Sequence, residues 1–586
     1  MRTLVETGLL AGERGAYRLA QPLERLQVPA TVQAVLAARI DRLPPEDKRL
    51  LQTAAVIGTE VPWPLLQTIA DAPDEAVHRG LAHLQAAEFL YETSLFPERA
   101  YTFKHALTHE VAYGGLLRER QRLLHGCIVA AIEQHAADRL ADQVERLAHH
   151  ALRGEVRDKA VAYCRQAGDK AVARSANREA VTCFEQALAA LAHLPESRER
   201  HAQAIDARFG LRSALNALGD FARLLAVLRE AESLAAALDD ARRLGRVSVF
   251  LSLYFFVMGT YDQAIAAGQR ALEHATAGGE SVLQALAHYC LGRAADAQGD
   301  YRRAVACYSQ AVAFFAGTRC QERFDMGIPP AVTSHAWLAR CYAQMGQFTE
   351  GRAVGDEGLQ MAEVGAHPES LMLAASGIGL VSLWQGDLSR ALPHLERAVG
   401  LVYEADLPGW FPMVATVLGA AYTLAGRAAA ALPLLTQAIA QSIGTRQSVV
   451  SSLVSRHLGE AQLLTGHLEE AHALAEQALS LARAYHQRGQ QAYALLLLGD
   501  IAARCNPPER TRAEAHYQEA LALADELGMR PLQAHCHRGL GTLYAATGQR
   551  EQACAALAAA ITLYRDMDMT FWLPETEAAL AQVEGR

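Results

Sequence analysis

The chain holds 586 residues, 51% apolar and 20% charged, which is too long for one ordinary core and describes a folded protein. Its net charge of −9, from 55 basic and 64 acidic residues, gives nucleic acid no general electrostatic pull. Ten dispersed cysteines without a CxxC pair read as buried reduced thiols in a cytoplasmic protein. Ala and Leu dominate and favour helices. The start shows no signal-peptide apolar stretch, and the most apolar run, VSVFLSLYFFVMG (247–259), falls short of the roughly 18–20 residues of a membrane span. No membrane role and no cofactor are implied.

Residues 29–110 lack the repeat described below. PATVQAVLAARIDRLPPEDKRLLQTAAVIG (29–58) predicts an amphipathic helix, a Leu-Pro-Pro break and a second helix. WPLLQTIAD (63–71) and DEAVHRGLAHLQAAEFL (74–90) predict two more, and YETSLFPERAYTFKHA (91–106) alternates and turns like a two-stranded wing. Three helices followed by a small hairpin resemble a winged helix. As a DNA reader it would be weak: the candidate recognition helix offers Arg79 against Asp74, Glu75 and Glu88.

FKHALTHEVAY (103–113) places His105 and His109 four apart, on one helical face. Zinc would need further ligands, and no HExxH arrangement or neighbouring Cys supplies them. The adjacent pair His149 and His150 is no better, and His535 and His537, two apart, point to different sides of a helix. A helical connector occupies 113–156.

From 157 to 566 the chain repeats. QGDYRRAVACYSQAV (298–312), QGDLSRALPHLERAV (385–399), TGHLEEAHALAEQAL (465–479) and TGQREQACAALAAAI (547–561) share a Gly, a small residue five further on and a second one seven beyond that. The first small position runs through Ala180, Leu224, Ala264, Ala304, Gly351, Ala391, Ala431, Ala471, Ala513 and Ala553, so ten units keep the spacing, most of them 40 residues long. Seven residues is nearly two helical turns, so both small residues share a face that a neighbouring helix can approach. Larger residues such as Phe184, Tyr308 and Tyr517 fill the space alongside. The glycines at 219, 259, 299, 346, 386, 426, 466 and 548 suit a turn with positive φ.

A Gly seven residues before the turn, as at Gly292, Gly419, Gly459 and Gly541, completes a pattern that resembles the tetratricopeptide repeat (TPR). The period departs from that family's 34 residues, and longer helices would account for it. The resemblance implies an all-α, right-handed TPR superhelix of about ten helix pairs, closed by a capping helix at 567–586. It also implies binding of a protein or peptide in the concave face, or sensing of a small effector. Two longer steps place loops near TRCQERFDMGIPP (318–330) and CNPPERT (505–511). In LPGWFP (407–412), Trp410 and Phe411 form a Pro-bounded aromatic turn, which makes them candidate partner-binding residues beside a plain packing role.

RIDRLPPEDKRLLQTAAVIG followed by YTFKHALTHEVAYGGLLRERQRLLH resembles bacterial signal-transduction ATPases with numerous domains. It is similar above all to proteins that join an AAA-type ATPase to a TPR array, often behind a class III adenylate/guanylate cyclase domain. By that resemblance, 1–44 is the remnant of the ATPase tail and lid, 45–112 the winged helix, and 157–566 the sensor. The chain has no GxxxxGK[ST] and no Gly-Lys pair, so the motor is absent and the chain is expected to be the C-terminal part of a longer protein. His105 matches the histidine that, in such switch ATPases, reaches back to the β-phosphate of bound ADP. Its role as a nucleotide sensor requires an ATPase domain. Lys104 and His109 inherit no role. The expected function is a non-catalytic interaction and regulatory scaffold, coupled to an ATPase or cyclase domain in cis or trans. The alternatives are a stand-alone TPR adaptor and the regulatory half of a cyclase.

Overall fold

Seventeen-residue helices and three-residue turns account for the forty-residue period: Ser448–Leu464, Leu468–Ala484 and Arg488–Arg504 succeed one another in this way. These helices are the longer ones that the period demanded. The computed structural model describes residues 10–11, 18–19, 32–94, 99–174, 176–324, 326–444 and 448–585. Most of the expected 1–44 segment lies outside the described residues. The chain forms two compact units, Met1–Leu211 and Arg212–Arg586.

The second unit is an all-α helical-repeat superhelix. Each pair is joined by a turn whose chemistry the sequence spells out. Gly386 closes the helix Pro368–Gln385 at φ +88°, and the Asp387 amide donates to the Ser382 carbonyl at 2.9 Å. The Asp387 carboxylate then accepts the Arg390 amide at 3.1 Å and starts the helix Leu388–Glu404. A left-handed Gly followed by an Asp N-cap thus ends one helix and begins the next. All eight turn glycines named above have positive φ. The opposite turn, between pairs, is also left-handed but is built on other residues, among them Asp239, Ala366, Asp406 and His486.

Within a pair, the Gly of the first helix receives a large side chain from the second. A Cβ on Gly419 would lie 2.6 Å from Leu435, and one on Gly499 would lie 2.7 Å from Tyr517. Gly379 with Leu395 and Gly541 with Leu557 repeat the arrangement at 2.6 and 2.7 Å. Each large residue sits four positions after the first small residue of its helix, between the two small ones. The small residues are fully enclosed: Ala304, Ala311, Ala391, Ala398, Ala513 and Ala520 are all 0% exposed. The repeat is therefore a knob-and-hole device, and the spacing read from the sequence is its footprint.

The first unit contains the helices Pro45–Ile57, Trp63–Ile69 and Asp74–Ala86 and a three-stranded antiparallel sheet. Its strands Glu60–Pro62, Ala100–Phe103 and Leu90–Ser94 lie in that order across the sheet, with Val61 opposite Tyr101 and Leu90 opposite Phe103. The hairpin was expected; the third strand was not, because three residues with one buried side chain carry no periodic signal. Leu51, Leu66, Leu81, Leu84 and Ile128 pack into one core that joins these helices to Arg118–His135. Phe184 fills the first repeat's hole, within 2.7 Å of a Cβ on Gly168 and 2.3 Å of one on Gly210.

Candidate partner-binding site on the inner face of the repeats

One residue per repeat follows the first helix's small residue: Arg293, Arg340, Leu380, Ala420, Glu460, Asp500 and Thr542. Two arginines, two apolar residues and two acids succeed one another along the array. Most are half-buried, neither packed away like the small residue before them nor fully solvated. Consecutive first helices also touch one another, so they form an inner layer on which these side chains lie.

Early and late repeats of the unit meet through that layer. The Tyr493 hydroxyl donates to Gln344 Oε1 at 3.0 Å, and Gln487 Nε2 donates to the Tyr261 hydroxyl at 2.7 Å. Tyr301 brings its hydroxyl over Gly489, where a Cβ would lie 2.1 Å from it. Gln385 accepts Arg352 Nη1 at 2.8 Å and donates to the Asp568 carbonyl at 3.4 Å. An apolar seam, in which Phe348 and Val381 pack with Met567 and Trp572, accompanies these polar contacts.

Charges gather around them. Arg456, 3% exposed, lies 4.7 Å over the Tyr493 ring and donates to Glu460 at 2.5 Å. His457 accepts Arg456 Nη2 at Nε2 and donates from Nδ1 to Glu460, both at 2.7 Å, the pattern of a neutral imidazole. Burial, then the Arg456 charge, lowers the His457 pKa. Burial raises the Glu460 pKa, but the Arg456 and His457 interactions outweigh it and hold the carboxyl at about 2. Arg340 Nη1 is 3.7 Å from Asp296 Oδ2, whose pKa burial raises against the pull of Arg340 and Arg293. Arg293 stacks 3.9 Å over Phe256 and 5.2 Å from the Trp337 ring. A narrow cleft of about 40 Å³ opens beside Trp337, lined also by Arg340, Leu380, Trp384, Met413 and His457.

The residues singled out from the sequence lie elsewhere. Phe411 is 2% exposed, inside the helix-pair core, and Trp410 donates its indole N–H to Glu369 at 2.6 Å. His105 is exposed at the junction between the strand Ala100–Phe103 and the helix Ala106–Gly114, and its side chain makes no cap hydrogen bond. His109 stands edge-on to Phe103 at 5.1 Å, and Lys104 pairs with Glu88 at 2.9 Å. His149 and His150 join His125 in a cluster, where His125 and His150 share an Nδ1–Nδ1 hydrogen bond of 2.8 Å. The inner-layer charges went unread, although a signal was present: the position after each repeat Gly can be aligned and its charges compared.

A tetratricopeptide-repeat family model matches residues 243–316, the stretch of the Tyr289–Tyr308 helix pair and the pair before it. A protein of Rhizobium meliloti (strain 1021) is 29% identical over 186 residues, which is 32% of this chain and 18% of that one. The chain therefore spans less than a fifth of that relative's length. Among solved structures, a Rap protein complexed with competence and sporulation factor aligns with a TM-score of 0.49 and 16% identity, over 63% of this chain and 98% of its own. A signal transduction ATPase with numerous domains and a tetratricopeptide repeat sensor, from Pyrococcus horikoshii, aligns with a TM-score of 0.37 and 11% identity, over 86% of this chain and 68% of its own. The repeat match and the helix-pair array together support a protein-interaction scaffold.

Proposed function

We propose that the chain is a non-catalytic sensor and relay. Its repeat array takes a protein or peptide on the inner layer, and its N-terminal helices and sheet pass that event to an ATPase or cyclase domain in cis or trans. The observation that carries the reading is the register of Arg293, Arg340 and Leu380 along the first helices, a mixed polar and apolar stripe that continues into Glu460 and Asp500, which Arg456 and Tyr517 already engage. The exposed position of His105 supports the relay, because a sensor must reach outside its own module.

Photocrosslinking tests the array. With a photoreactive residue at Leu380, on the inner register, irradiated cells should yield a discrete protein adduct. The same residue at exposed Glu273, on a second helix, should not. Adducts from Glu273 alone would contradict the reading. ATP turnover by the purified chain, above a denatured control, would contradict its non-catalytic part.

A further inference from the structure

A cavity of about 530 Å³ opens where early repeats meet late ones, roomy enough for a small molecule. One wall is the turn between the helices Ser281–Gln298 and Tyr301–Phe315, with Asp262 beside it. The other joins the start of Arg488–Arg504 to the end of Arg510–Leu527. The two walls touch: Tyr301, 2% exposed, packs on Gly489, and a Cβ on Gly299 would lie 3.1 Å from Leu527. The charges on them are unequally matched. Arg488 holds Glu526 with both terminal nitrogens, so that pair cancels. Arg302 reaches across, with Nη2 3.9 Å from where a Cβ on Gly528 would lie. Among the described residues, no ion pair engages Arg302, Asp262 or Asp300. Asp262 accepts Gln298 Nε2 at 3.1 Å and Asp300 accepts the Arg303 amide at 3.1 Å, neutral donors that leave both charges uncompensated. Two carboxylates and one guanidinium therefore face the same space without counter-charges.

We propose that this cavity binds a free basic α-amino acid, of the lysine or arginine kind. Such a molecule carries two cationic groups and one carboxylate, the complement of the uncompensated set on the walls. Its carboxylate pairs with Arg302, which a guanidinium does in a two-point geometry, and its cationic groups pair with Asp262 and Asp300. A single exposed ion pair contributes little, so the site depends on three contacts made at once by one molecule. The proposal needs early and late repeats to meet, and it stands whether or not the array carries a protein partner.

Calorimetric titration of the full chain with L-lysine, L-arginine, cadaverine and L-glutamate tests it. Cadaverine keeps two cationic groups but lacks the carboxylate, and glutamate reverses the charge balance. Saturable binding of lysine or arginine is expected, at least tenfold tighter than of cadaverine or glutamate. Arg302→Gln should weaken the amino acid about tenfold and bring it level with cadaverine, the loss of one charge-assisted contact. Asp262→Asn should weaken the amino acid and cadaverine alike. Saturable binding of neither basic amino acid, or equal binding of cadaverine or glutamate, would overturn the proposal; so would unchanged affinity in a folded Arg302→Gln variant. Should that variant not fold, the comparison of ligands on the unmodified chain still decides.

Discussion

Tyr493 and Gln344, 149 residues apart, share a hydrogen bond of 3.0 Å between the first helices of a late and an early repeat. Gln344 is 1% exposed, so this bond satisfies its carbonyl oxygen where water does not reach. Tyr493→Phe should therefore destabilise the array by about 1–3 kcal/mol, the range for leaving a buried polar group unpaired. Gln344→Met in the same background should recover part of that loss, because no orphaned amide remains. Urea unfolding of the four chains in a double-mutant cycle measures the coupling; additive effects would show that the bond holds nothing.

The two kinds of helical glycine predict opposite outcomes. A Cβ on Gly419 would meet Leu435 at 2.6 Å, so Gly419→Ala should cost about 1–3 kcal/mol through overpacking. Gly400 lies inside the helix Leu388–Glu404 with nothing within 4 Å of a Cβ. Gly400→Ala should stabilise by about 0.5–1 kcal/mol, the helix-propensity difference. Thermal melts of both variants check the pair, and the same sign for both would refute the knob-and-hole account.

The His125–His150 contact makes the first unit acid-sensitive. Burial, with His149 and Arg153 adding positive charge, lowers His125 to about 4. Burial, with His125, His149 and Arg146, lowers His150 to about 3. Both are neutral in the fold at pH 7, whereas the unfolded chain binds their protons below about 6.5. The unfolded state thus gains protons first, and stability should fall as pH drops from about 6.5 toward 4, by on the order of a few kcal/mol. Circular-dichroism melts across that window should show the loss, and His125→Phe should flatten it. A pH-independent midpoint would contradict the prediction.

His105 predicts an absence of effect. It is exposed and makes no side-chain cap bond, so His105→Ala should leave stability within about 0.5 kcal/mol. A loss of several degrees in the melting midpoint would make it a structural residue instead.

Much of this fold was legible because the repeat is a packing rule written in small residues. Ala304 and Ala311, seven apart, can only be small if another helix crosses there, and the Gly-Asp pair at 386–387 states its turn directly. The left-handed turn at Ala366 and Asp406 was not legible, since neither residue type marks positive φ as glycine does. Nor was the site. Trp410 and Phe411 stood out as aromatics in a turn, but Pro-bounded turns here close helix pairs, and Phe411 points into the core. Arg340 and Tyr493 looked like ordinary helix residues, because their meaning comes from contacts between repeats far apart in sequence.

The partner stripe lies on an inner layer across which early and late repeats meet. Arg302 and Glu526 line one cavity in that arrangement, with Arg302 Nη2 3.9 Å from where a Cβ on Gly528 would lie. The most direct measurement is to replace both with cysteine, treat the full chain with a short bis-alkylating reagent, and map the products by peptide mass spectrometry. The account predicts an intramolecular link between positions 302 and 526. Both cysteines alkylated singly, with no linked peptide, would show that the repeats do not meet and would contradict it.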